Sequence, residues 1–193
     1  MYYRTAVLER NISCLVLLER QLCQLYKILL KKTEDLTAKS LLHYIASDSL
    51  KHSVILEGIL KETGWKINES DCDANIRYAI TQADALSKDV SRIPKIDNVR
   101  LASLTDGLAD FESLLLERYS NTFQWSTSQS QTSDTHSPRR MGKNIFELIV
   151  SDEERHQDAL ATIKRLSDKF ELQDNDPFVR YQTPDAWYRP PAR

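Results

Sequence analysis

Apolar residues recur at three- and four-residue steps through most of this chain, the period of helices with one face turned inward. Leu8, Ile12, Leu15, Leu22, Leu25 and Leu29 predict a first helix over about 5–32. Thr33-Glu34-Asp35 breaks it, and Asp35 or Thr37 is placed to cap a second helix over about 36–62, which Thr63-Gly64 stops. A long connection follows, holding a shorter helix at about 74–91 before Ile93-Pro94. Asp97 is placed to cap a helix over about 98–123, and a last helix spans about 143–170. Between them, residues 124–140 are rich in Ser and Thr, too polar to offset the entropy of ordering, and predict a mobile loop. Residues 174–193 hold four prolines with Phe178, Tyr181, Trp187 and Tyr188, which predicts an extended tail after a helical domain of 1–173. No strand pattern competes. The expected class is all-α, a four-helix bundle of two antiparallel hairpins joined by a long crossover that carries the short extra helix.

Composition narrows the function. The chain has 193 residues and only 4 glycines, with no G-x-G-x-x-G and no G-x-x-x-x-G-K-[ST], so no nucleotide cofactor is expected. A net charge of -2 argues against nucleic-acid partners and against a polybasic membrane surface. No apolar run approaches the ~20 residues of a membrane span. Cys14, Cys23 and Cys72 are odd in number and form no CxxC pair, which predicts buried thiols in a reducing cytoplasm. Nucleophilic chemistry at Cys14 or Cys23 has no suitably spaced histidine to support it, so packing is the better reading.

The stripes themselves carry the chemistry. Taken in helical steps, the first runs Leu15, Glu19, Leu22, Tyr26, and the second Ile45, Ser49, His52, Leu56. The third runs Leu108, Glu112, Leu115, Tyr119, and the fourth Ile149, Glu153, His156, Leu160. Each inward face is broken near its middle by ionisable or hydroxyl groups. In an antiparallel hairpin, residues equidistant from the turn share a level: Glu19 matches Ser49–His52 about residues 34–35, and Glu112 matches Glu153–His156 about residue 133. Buried carboxylates cost several kcal/mol each unless compensated, and the stripes supply no Lys or Arg. A metal pair is the economical compensation, and oxygen ligands with imidazole suit iron or manganese, with zinc possible.

This pattern resembles the ferritin-like superfamily of di-metal carboxylate bundles, which includes rubrerythrins and ferritins. There, a Glu lies on helices one and three and E-x-x-H on helices two and four. An internal repeat supports the resemblance, since Ile45-Ala-Ser-Asp-Ser-Leu-Lys-His52 parallels Ile149-Val-Ser-Asp-Glu-Glu-Arg-His156. The resemblance implies metal ligation by Glu19, His52, Glu112, Glu153 and His156, with Glu153 bridging. It implies that Asp48 and Asp152 hydrogen-bond the ligand histidine of the opposite helix. Tyr26 and Tyr119 are candidate donors around the site, with core packing the alternative. The chain departs from the family at Ser49, where a second bridging Glu is expected. An asymmetric di-metal site, a single metal on Glu112, Glu153 and His156, or a vestigial site all remain open.

The resemblance leans toward an iron or manganese oxidoreductase of oxygen or peroxide chemistry. A redox role would need an external electron donor, because no rubredoxin-like CxxC pairs are present, and a homodimer is expected. The alternative is a non-catalytic helical bundle with a vestigial site, serving as an interaction or scaffold module.

Overall fold

The computed structural model describes residues 2–127 and 138–166, with side chains over 6–124 and 144–166. The secondary structure of these residues is helical: α1 (Tyr2–Lys32), α2 (Leu36–Thr63), a 3-10 turn (Glu69–Asp71), α3 (Ala74–Ser91), α4 (Asn98–Thr127) and α5 (Pro138–Arg165). The caps follow the local sequence. Asp35 accepts from the Ala38 amide at 2.8 Å, and Asp97 accepts from the Arg100 amide at 2.9 Å. Gly64 ends α2 at φ 72, a left-handed conformation that a side chain would strain. Asp73 caps α3 through the amides of Asn75 and Ile76.

Some bounds differ from the expectation. α1 begins at Tyr2 rather than 5, α4 continues to Thr127 rather than 123, and α5 opens at Pro138 rather than 143. The polar composition of 124–140 therefore understates the helix at both ends of that stretch. Proline fits at a helix start because its fixed φ is already helical and its missing N–H has no partner there. α5 is described to Arg165, and residues 167–170 of the expected helix lie outside the described residues. Residues 128–137 of the expected loop and the expected tail at 174–193 lie outside the described residues.

The helices pack as antiparallel pairs. α1 lies against α2 and α4 against α5, and the pairs meet through α2–α5 and α1–α4. α3 runs back along α1, returning the chain to the end where α1 turns into α2. There the Ile96 amide donates to the Lys32 carbonyl at 2.8 Å, and Thr33 pairs with Ile96. The crossover is thereby fastened at the level from which α4 descends. One core of buried Leu, Ile, Val and Ala joins all five helices, with Leu15, Leu22, Leu42, Leu56, Leu108 and Leu115 essentially inaccessible. Each such leucine contributes about 2 kcal/mol of apolar burial. No helix among the described residues is long and apolar enough to cross a membrane.

The cysteines correct the sequence reading. Cys14 on α1 and Cys72 beside the 3-10 turn form a disulfide, and only Cys23 is a buried free thiol. The connection after α2 has no hydrophobic period, so its return to α1 could not be read from the stripes. Ser13 reinforces the same attachment by accepting from the Asn68 amide at 2.8 Å. With two of the three cysteines paired, the ground for expecting a reducing cytoplasm is gone. The bond closes a long loop, with its ends 58 residues apart, so its removal should release substantial unfolded-state entropy. A Cys14→Ser/Cys72→Ser double variant should lose about 2–4 kcal/mol of unfolding free energy against the oxidised protein, measured in urea. A loss below about 0.5 kcal/mol would show that the clamp adds nothing to what Ser13 and the core already hold.

Candidate metal centre

Glu19, Ser49, His52, Glu112, Glu153 and His156 are all 0% exposed, although five of them are ionisable. Their helices place them at one height. His52 Nδ1 lies 3.1 Å from Glu19 Oε1 and 3.0 Å from Glu153 Oε1. His156 Nδ1 lies 3.0 Å from Glu112 Oε2 and 3.4 Å from Glu153 Oε2. Each ring nitrogen thus faces two carboxylates, and Glu153 belongs to both groups. Glu19, His52 and Glu153 form one set whose ligand atoms lie within 4.8 Å of one another, and Glu112, Glu153 and His156 form another.

The opposite ring nitrogens point to the outer carboxylates. His52 Nε2 lies 3.1 Å from Asp152, and His156 Nε2 lies 3.4 Å from Asp48, so each Asp serves the histidine of the other helix. Asp contacts at Nε2 leave Nδ1 as the inward nitrogen, an arrangement that fixes ring orientation in metal sites. The tyrosines are crossed in the same manner. Tyr26 on α1 donates to Glu112 on α4, and Tyr119 on α4 donates to Glu19 on α1 at 2.6 Å. Burial first, and then the neighbouring carboxylates, raise both phenols well above their ordinary range, so they stay protonated donors.

Sequence reasoning missed the cations outside this layer. Lys51 Nζ donates to Asp48 at 2.7 Å and to Asp152 at 2.8 Å, bridging α2 and α5. Arg155 donates to Asp152 at 2.8 Å. Both occupy the same place in the repeat, immediately before His52 and His156, and that parallel was the available signal. Tyr44 adds an edge-on contact to the His156 ring, centroids 5.5 Å apart.

Hydrogen bonding leaves particular atoms over. Glu19 Oε2 and both Glu153 oxygens are buried without a hydrogen-bond partner. Buried polar atoms are normally paired, and for Glu153 the pairing is ionic, through the two histidine nitrogens at 3.0 and 3.4 Å. Burial first, then the Glu19 charge, pushes Glu153 well above the usual carboxylate range. Burial pushes Glu112 upward too, but the hydrogen bond and charge of His156 carry it below its ordinary value. Burial disfavours the charged form of His52, yet Glu153 and Glu19 hold its pKa up at about 10. His156 is raised against the same burial penalty, chiefly by Glu112. Without a cation these shifts favour protons on both imidazoles and on Glu153.

The layer has the donor set of a metal site: hard carboxylate oxygens, two imidazole nitrogens, and orphaned oxygens between them. No protein-family model, curated protein or solved structure matches the chain.

Two outcomes follow for the metal-free protein. Glu112→Leu should destabilise by about 3–5 kcal/mol in denaturant titration, because it removes the nearer carboxylate from His156 Nδ1 and strands the buried Tyr26 hydroxyl. A neutral or stabilising effect would mean that the layer is not held by these pairs. His52 binds its proton more tightly folded than unfolded, with its pKa moved from 6.5 to about 10. Its contribution is complete below 6.5 and is lost as pH rises through about 10. Urea midpoints should consequently fall between pH 7 and pH 10, and His52→Gln should flatten that decline.

Proposed function

We propose that the protein is a ferritin-like four-helix bundle holding a pair of iron or manganese ions, and that it works as an oxidoreductase on dioxygen or peroxide. The observation that carries this reading is the buried carboxylate of Glu153, shared between two histidine nitrogens and flanked by Glu19 and Glu112. The pairwise packing of α1–α2 and α4–α5, with α3 in the crossover, is compatible with that connectivity. Glu19 and His52 would hold one ion, Glu112 and His156 the other, and Glu153 would bridge them. When bound, such a pair supplies Lewis acidity and electrons for activating an oxygen ligand.

The chain's own groups set the conditions for that chemistry. Tyr119 and Tyr26 fix the rotamers of Glu19 and Glu112, and Asp152 and Asp48 orient the two imidazoles. Lys51 fixes both aspartates from outside. The layer itself is closed to solvent, its six residues being fully buried. Turnover would draw electrons from an external donor, since the sequence offers no CxxC pair to hold one of its own.

One observation favours a second reading, in which the site is vestigial and the bundle is an interaction module. The upward shifts of His52, His156 and Glu153 let protons balance the layer without a metal. Chelation separates the two. On the metal reading, protein prepared without chelator contains iron, manganese or zinc by elemental analysis. Saturating metal then adds about 2.7 kcal/mol of stability at a hundredfold excess over Kd. Metal uptake in weak buffer should release protons, because His52 and His156 give up their Nδ1 protons and Glu153 its own. A metal-free preparation that rejects added ions and whose melting temperature ignores chelator identifies the vestigial form.

Lys51 offers a finer check. Lys51→Met should weaken zinc binding about tenfold, the usual scale for losing a group that orients a ligand. Lys51→Arg should restore most of it. Equal affinities in both variants would remove Lys51 from the support of the site.

A further inference from the structure

The repeat pairs almost every group of this centre with a counterpart. Glu19 answers to Glu112, Tyr26 to Tyr119, Asp48 to Asp152, Lys51 to Arg155 and His52 to His156. One pair is unequal: Ser49 stands opposite Glu153, equally buried, and its hydroxyl is spent on the Ile45 carbonyl at 3.1 Å. The consequence is electrostatic. Two divalent ions bring four positive charges, whereas Glu19, Glu112 and Glu153 return three negative ones. Asp48 and Asp152 do not close the gap, because Lys51 and Arg155 already neutralise them. A buried site of uncompensated charge is unfavourable, and the compensation has to reach the same enclosed layer.

We infer that Ser49 turns the missing carboxylate into a binding position for a small monocarboxylate, which enters with the second metal ion and bridges the pair on the α2 side. This inference rests on the di-metal reading above. Chemistry fixes the ligand class. A counterpart to Glu153 on the α2 side offers two oxygens and a single negative charge, as Glu153 would from α5. Size fixes the member, because a glutamate side chain differs from serine in carrying a methylene and a carboxylate where serine carries its hydroxyl. Acetate or formate matches that difference and bulkier carboxylates exceed it. Ser49 is the specificity-determining residue, since a longer side chain there fills the position itself.

The test is calorimetric and needs no turnover. Zinc sulfate is titrated into the metal-free full chain in a bulky sulfonate buffer, with and without millimolar acetate. The expected result is tight binding of one ion without acetate, and second-ion affinity at least about tenfold higher with it, or about 1.4 kcal/mol. Pivalate should give no gain. Ser49→Glu should bind two ions with no response to acetate, and Ser49→Ala should keep the response. Should Ser49→Glu fail to fold, the acetate–pivalate contrast in the natural chain still decides. Two zinc ions bound equally well with and without acetate would overturn the inference and leave the metal reading standing, with hydroxide as the bridge. An acetate response that survives in a folded Ser49→Glu variant would also overturn it. No zinc bound in either buffer would overturn the di-metal reading itself.

Discussion

Three carboxylates and two imidazoles buried in a single layer impose the constraint to which the rest of this structure answers. A buried ion without a partner costs several kcal/mol, and the whole folded state is worth only 5–15 kcal/mol in a typical domain. The layer is therefore stable only if each charge meets its complement at the right height, in either loading state. Protons on the histidines and on Glu153 meet that demand in the metal-free chain. Cations would meet it by displacing those protons, and this links the site's affinity to pH in the direction opposite to the apo-protein's stability. Lower pH favours the proton-held layer, and higher pH favours the cation-held one.

The same demand accounts for the crossed bracing. Tyr26 reaches from α1 to Glu112 on α4, and Tyr119 reaches from α4 to Glu19 on α1. Sliding α1 past α4 by one turn would break both bonds at once and strand four polar groups. Asp48 and Asp152 brace α2 against α5 through the histidines in the same reciprocal way. The pair interfaces are thus fixed by polar registry, while leucines supply the burial. Buried polar networks that specify register are a recognised use of groups that add little net stability. The disulfide and the Ile96–Lys32 bond then hold the crossover to α1, so the level set at one end of the molecule is kept at the other.

Much of this was legible in the sequence because both signals it needs are periodic. Apolar spacing gave the helices, and polar residues falling on the apolar stripe gave the candidates for the layer. Distance from the turn then predicted that Glu19 would meet His52 and that Glu112 would meet His156. What escaped was aperiodic. Cys14 finds Cys72 only through the path of a connection with no pattern. Lys51 belongs to the outer face of α2, where a lysine reads as solvated. Its long stem nevertheless lets the ammonium reach two carboxylates on different helices. The ends of α4 and α5 were misjudged because Ser and Thr content was weighed above a proline suited to start a helix.

Glu153 carries the argument about purpose. A registry device is complete once its members are paired, and the crossed tyrosines and aspartates are paired. Glu153 instead shares its two histidine nitrogens, at 3.0 and 3.4 Å, with Glu19 and Glu112, and burial, with the charges of those two carboxylates, pushes it well above the usual carboxylate range. For packing alone, a leucine there would fill similar space without the desolvation cost. A carboxylate that carries this desolvation cost and must share both of its histidines could hold a cation, placed as it is between two rings whose outer nitrogens are already committed. The layer thus separates into two parts, with tyrosines, aspartates and Lys51 holding the geometry and Glu153 shared between two histidines at its centre.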